Sequence, residues 1–266
     1  MASAPKPGLP VLYNDLVPLN SVDHGSWKAR SVDKAAWVVK QHAIPLTVEE
    51  FPQALRDYPI VFSVGDNPVP LALMGLNEGV NVFFEEDGTL IGSPYIPAYI
   101  RRYPFLLAKI EQGSENLSLC FDPTTDLLGA FDEGRELFDA ESQPTPHTKE
   151  LLDFCQKFEE AGLKTRAFVD ELTKADLLMD GEVAINRLDG SGQPFVYRGF
   201  RMINQEKLRE LRGDQLRKWN ENGLLPLIYA HLFSLDLMRV IFAQQGLQGK
   251  GPTAAAMQAA VTIPLV

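Results

Sequence analysis

Cysteine is scarce. The 266-residue chain holds two, Cys120 and Cys155. That excludes the disulfide framework of a small secreted scaffold. No CxxC and no Cys–His spacing is present, so neither a clustered zinc site nor a local redox pair is encoded. Both cysteines sit in apolar surroundings, LSLCF and LLDFCQKF, which fits two buried thiols.

Histidine is scarce as well. His24, His42, His147 and His231 are the only four, and no two lie within five residues. HExxH and HxD patterns are absent. GxSxG is absent too: Ser63 lies in FSVGD and Ser118 in LSLCF, and neither has a nearby histidine base. No Walker A or GxGxxG loop exists. Gly246, Gly249 and Gly251 in GLQGKG follow a helical stretch rather than a strand, the wrong context for a dinucleotide cradle. These absences cover local motifs. A catalytic group assembled from distant residues leaves no such trace.

Positive charge is the third shortage. Lys and Arg total 25 against 35 Asp and Glu, a net charge of −10 and a pI near 4.9. A polyanion is repelled on average, so nucleic acid is not an expected partner. Pairs such as Glu85–Glu86 and Asp132–Glu133 read as solvated charges. The N-terminal stretch MASAPKPGLPVLYNDLVPLN lacks the 7–15-residue apolar run of a signal peptide. No stretch approaches the ~20 apolar residues of a membrane span. The longest apolar helix, 224–242, carries His231, Asp236 and Arg239. The expected location is the cytoplasm without membrane insertion. Signal-less export to the surface stays open.

What is present is an ordinary globular composition, 45% hydrophobic and 23% charged. The expected organisation is an arm over 1–12, one α+β unit over 13–244 and a loose tail over 245–266. Sub-lobes would divide within 113–142. The fold class is α+β, with a largely antiparallel sheet from about 30–120 and 182–202. Helices over about 148–178 and 204–243 cover one of its faces.

Residues 13–20 form an edge segment, and 35–41 and 59–64 are β-rich. Thr47 with Glu50 three residues on is a capping box, opening a helix over 48–57. Strands follow at 68–76 and 80–85, with a hairpin turn at Asp87–Gly88. A short helix over 99–109 is broken by Pro104, and a strand covers 117–121. Residues 122–142, with seven acidic residues, form a loop or mobile helix. A helix over 148–161 stops at Gly162 and another covers 164–178. Strands at 182–188 and 194–202 form a second hairpin across Asp189 and Gly190. Asn204 or Gln205 opens a helix through Leu211, Asp214 caps the next, and a last helix spans 225–243. His231, in IYAHLF, reads as a core histidine with one hydrogen-bonded nitrogen.

One segment concentrates binding chemistry. Tyr95, Tyr99, Arg101, Arg102 and Tyr103 place three tyrosines and two arginines within nine residues of an acidic chain. Arginine offers a planar fork for carboxylate or phosphate, and tyrosine a stacking face with a polar tip. The competing reading pairs the arginines with acidic side chains and packs the tyrosines beneath them. Arg198 and Arg201, beside Tyr197 and Phe200, form a weaker parallel. No metal is expected; His24 or His42 joined by a remote carboxylate are the weak candidates. No cofactor can be named from these residues.

Three blocks in order, QHAIPLTVEEFPQALRDYPIVF, YIPAYIRRYPFLLA and FRMINQEKLREL with GLLPLIYAHLFSL, resemble the SapC family. The resemblance runs over about residues 13–235. It implies a bacterial origin, a single structural unit and a link to surface-layer or uptake functions, with no catalytic residues to transfer. Family members are similar to proteins encoded near flavin-dependent halogenase-like, cupin-like and outer-membrane receptor proteins. The expected function is a non-catalytic accessory or binding protein for a protein partner or small ligand. Two alternatives stand beside it: an enzyme with a dispersed, metal-dependent oxidative site, and a structural surface-layer component. Oligomeric state is open.

Overall fold

The computed structural model describes residues 8–110, 117–185 and 194–251. The N-terminal half begins with β1 (Val17–Pro18), α1 (Ser21–His24), β2 (Lys28–Ala29), β3 (Ala43–Pro45) and α2 (Phe51–Ala54). It continues through β4 (Ile60–Phe62), β5 (Pro70–Leu73), α3 (Ala98–Arg101), β6 (Phe105–Ala108) and β7 (Ser118–Phe121). Next come β8 (Leu128–Gly129), β9 (Arg135–Glu136) and the 29-residue α4 (Pro146–Lys174). The rest holds β10 (Leu178–Asp180), β11 (Val183–Ile185), β12 (Phe195–Tyr197), β13 (Arg201–Ile203), α5 (Gln205–Glu210), α6 (Gly213–Glu221), α7 (Leu224–Ser234) and α8 (Leu237–Leu247).

The α+β class holds, and among the described residues every strand pair is antiparallel. The strands of the described residues form four sheets, not one. The largest has the order β10-β13-β4-β5-β3; the others are β1-β7-β6, β8-β2-β9 and β11-β12. The β11–β12 arms match the expected second hairpin, while its turn at Asp189 and Gly190 lies outside the described residues, as does Gly113 at the expected sub-lobe boundary.

Two hydrophobic cores lie side by side. The large one surrounds the five-stranded sheet, with Phe51, Ile60, Phe62, Met74, Trp219 and Ile228 fully buried. The smaller joins Phe105, Leu107, Phe121, Leu137 and Cys155. Strand β6 serves both. Its period of two sends Leu106 to the large core and Phe105 and Leu107 to the small one. Helix α4 also spans both, with Cys155 in the small core and Phe168, Val169 and Leu172 in the large.

Several expected elements change. Residues 35–41 are not a strand; Ala36–Val38 is a 3-10 turn. The Asp87–Gly88 hairpin tip packs on it, with Ala35 N donating to Gly88 O at 2.8 Å. That contact takes the place of a neighbouring strand. Segment 80–85 is not a ladder strand either. It keeps one isolated antiparallel bridge, Phe84 with Leu90 across the expected Asp87–Gly88 turn, and Val82 N donates to Met74 O at 2.9 Å. Buried Asn81 donates to Val38 O and Gln41 O and accepts from Phe83 N, adding side-chain bonds where a full ladder is missing. After α3 the chain becomes strand β6, so no helix reaches Lys109. Gly162 does not end a helix; α4 runs straight through it. Asp214 lies inside the first turn of α6, whose N-cap is Arg212.

The last apolar helix divides at Leu235–Asp236. Ser234 Oγ donates to His231 O at 2.7 Å, and Met238 N and Arg239 N bond three residues back, tightening the turn. By length and composition alone, the 24 residues Leu224–Leu247 are long and apolar enough to cross a bilayer, which exceeds the sequence expectation. Residues 245–250 are fastened rather than loose. Gln245 Oε1 accepts from Leu76 N at 2.7 Å, and Lys250 Nζ donates to Asn81 O at 2.9 Å.

Candidate functional site

Segment 95–105 is held from below by one carboxylate. The capping box forms as expected: Glu50 Oε2 accepts from Thr47 N and Thr47 Oγ1, both at 2.9 Å. The second oxygen, Oε1, accepts from Ala98 N at 2.6 Å and from the Tyr95 hydroxyl at 3.0 Å. Tyr95 N donates to Asp57 Oδ2 at 2.9 Å, and the Tyr58 hydroxyl donates to Tyr95 O at 2.7 Å. One helix cap thus anchors the first turn of α3.

The two arginines part company. Arg101 is exposed; its Nε donates to Ile96 O at 3.0 Å and its guanidinium lies over Phe154 at 5.2 Å. Arg102 is only 6% exposed. Its guanidinium sits over the rings of Phe158 at 4.2 Å, Tyr99 at 4.5 Å and Tyr13 at 5.7 Å. Its ion pair with Glu159 is long, 3.4 Å, and its Nε has no hydrogen-bond partner. Tyr103 is buried beside it, 4.9 Å from Trp37. The packing reading therefore describes Arg102, Tyr99 and Tyr103. Tyr95 and Arg101 keep a surface position.

Burial keeps the neighbouring acids protonated. It pushes the Tyr95 and Tyr103 phenols up to about 12. The Cys155 thiol rises to about 11 through burial, partly offset by Arg102. A neutral thiol and neutral phenols are poor nucleophiles and poor bases near pH 7.

The remaining candidates sit elsewhere. Arg198 pairs with Glu182 at 2.7 Å. Arg201, on β13, donates to Leu178 O at 3.2 Å. His24 packs edge-on against Trp27 and Phe121 beside the small core, with Nδ1 at Asn20. His42 adjoins the main sheet, where its carbonyl accepts from Met74 N, and burial lowers its pKa. Among the described residues no three His, Cys, Asp or Glu side chains gather closely enough to hold a metal ion. His231 is bonded at both nitrogens: Ile203 N donates to Nε2 at 3.1 Å, and Nδ1 lies 2.7 Å from Ile60 O.

A mainly apolar concavity lies next to the tyrosine–arginine segment, and a second of similar volume, lined by Arg30, Asp33, Asp132 and Glu133, is charged. The apolar one is a groove of about 560 Å³ that runs between α4 and the end of edge strand β3. One wall is Pro45, Leu46 and Thr47; a second is the β4–β5 turn over 66–70, with Pro68, Val69 and Pro70. The third is one face of α4: Phe158, Gly162, Arg166, Val169 and Thr173 recur at helical spacing. Tyr99 and Phe158, the rings that enclose Arg102, close one end. Thr165 fixes the geometry: its Oγ1 accepts from Val48 N at 2.9 Å and donates to Ala161 O at 2.7 Å. Asp66, Arg166 and Asp170 supply charge of both signs.

Of the expected site residues, only Tyr99 reaches this groove. Sequence reading missed the rest because they come from three separate stretches. The one local signal was Gly162. A glycine in a helix interior costs about 1 kcal/mol relative to alanine. A Cβ built there meets nothing within 4 Å, so internal packing does not require it.

Fold and groove define an α+β scaffold with an apolar cleft beside a buried arginine. The chain belongs to the SapC family, whose model matches residues 19–241. No curated protein and no solved structure matches it.

Proposed function

We propose that the protein is a non-catalytic accessory protein of the SapC type that binds a small ligand in the groove between α4 and β3. The ligand has an apolar body and polar ends. The observation that carries this reading is Gly162, a helix-interior glycine facing an open 560 Å³ space. That volume lies within the range of small-molecule sites. Leu46, Val69 and Val169 suit an apolar body, and Arg166 and Asp170 suit charged ends. An uptake or surface setting in a bacterium agrees with a ligand-binding role. Nucleic acid does not suit a chain of net charge −10. Bilayer insertion would pull His231 and Ser234 away from Ile60 and Ile203.

A panel of small amphiphiles, screened by thermal shift and confirmed by calorimetry, tests this. Wild type is expected to bind members of one chemical class. Gly162→Leu, which fills the groove from a helix position free of neighbours, is expected to fold and lose that binding. Equal binding by both proteins, or none by wild type, overturns the reading.

A further inference from the structure

The outer face of α7 and α8 is apolar and bare. Tyr229 is 43% exposed, Phe233 68%, Val240 48% and Leu247 89%. Their spacing keeps them on one side of the helix, opposite buried Ile228, His231, Met238 and Ile241. Leu235 and Asp236 keep right-handed helical dihedrals, so the stripe continues from one helix into the next. From Tyr229 to Leu247 it is ~27 Å long at 1.5 Å per residue. The Tyr229 and Phe233 rings stack at 5.7 Å and 26°, forming a flat plate.

Two opposite charges sit at the middle of this stripe. Asp236 and Arg239 are exposed and one turn apart. Neither side chain has an ion pair among the described residues. We propose that this face is a two-fold interface with a second copy of the chain, the helices running antiparallel.

Two-fold symmetry makes every contact reciprocal. An axis between Asp236 and Arg239 sets each Asp236 against Arg239 of the other copy, giving two ion pairs. The same axis brings Tyr229 opposite Gly246, where a Cβ would meet open space. A parallel, in-register pairing would set Asp236 against Asp236. An anionic bilayer would meet the same carboxylate, in a protein of net charge −10.

Sedimentation velocity across a concentration series tests the interface. Wild type is expected to sediment as a dimer, and Phe233→Glu as a folded monomer. Asp236→Arg and Arg239→Asp are each expected to weaken the dimer, and together to restore it. A monomeric wild type overturns the proposal, as does a dimer indifferent to Phe233→Glu and to both charge reversals. Flotation of monomeric wild type with phosphatidylcholine vesicles would assign the face to a bilayer and overturn it as well.

Discussion

Glu50 and Ala98 lie 48 positions apart, yet Ala98 N donates to Glu50 Oε1 at 2.6 Å. The carboxylate also closes the Thr47 capping box and takes the Tyr95 hydroxyl. Glu50→Ala leaves buried donors at Thr47 and Ala98 without an acceptor. The expected loss is about 3 kcal/mol, since each bond to a charged group contributes ~1.5–3 kcal/mol. Urea denaturation measures it. A loss within experimental error would mean water replaces the carboxylate and that the anchor is dispensable.

Arg101 and Arg102 are adjacent in sequence and both lie over aromatic rings, but Arg101 is exposed and Arg102 buried. Arg101→Ala removes an exposed side chain and is expected to change stability by less than about 0.5 kcal/mol. Arg102→Ala empties a site among three rings and is expected to cost ~2–4 kcal/mol. Arg102→Met restores volume without a buried, half-satisfied cation. It is expected to match or exceed wild type, because isosteric apolar replacement of buried charges is often neutral or stabilising. Chemical denaturation of the three variants separates packing from charge. A destabilised Arg102→Met would assign the residue an electrostatic role instead.

These residues also mark how far the sequence could be read. The capping box at Thr47 and Glu50 and the cap at Asn204 are local patterns, and both form. Strands β4, β5 and β7 carry enough β-forming residues to be recognised. Residues 35–41 do too, but the Gly88 tip occupies the place a neighbouring strand would take. Gly162 resembles a helix stop because the chemistry of a C-terminal glycine and of a groove-lining one is the same in sequence. The groove escaped altogether. Its walls come from 45–47, 66–70 and 158–173, and no spacing rule links them. The tyrosine–arginine cluster was visible, but which of its members faced solvent depended on Phe158, more than fifty residues away.

Gly162 gives a prediction in which stability and binding diverge. Gly162→Ala adds a methyl group into open space. It also removes the backbone entropy penalty of glycine, worth about 0.5–1 kcal/mol in a helix interior. The midpoint of urea unfolding is expected to rise. Destabilisation by Ala would mean that α4 is strained at this position, and the groove would lose its main support.

His231 ties pH to stability. Burial lowers its pKa from 6.5 to about 4, against an opposing contribution from Ile60 O. The folded protein keeps the ring neutral, since Nε2 must accept from Ile203 N. The unfolded chain takes up a proton as pH falls through 6.5, and the folded chain does so only near 4. Stability is therefore complete above pH 6.5 and declines between 6.5 and 4, by about 1.4 kcal/mol per pH unit. His42 and His147, also lowered by burial, act in the same direction. Comparison with His231→Gln isolates the one residue. The variant is expected to start less stable at neutral pH and to lose about 2 kcal/mol less than wild type between pH 7 and pH 5. Parallel pH profiles, or a His231 ring resonance titrating near its ordinary value in the folded protein, would show that the buried ring is charged and that Ile203 N bonds elsewhere.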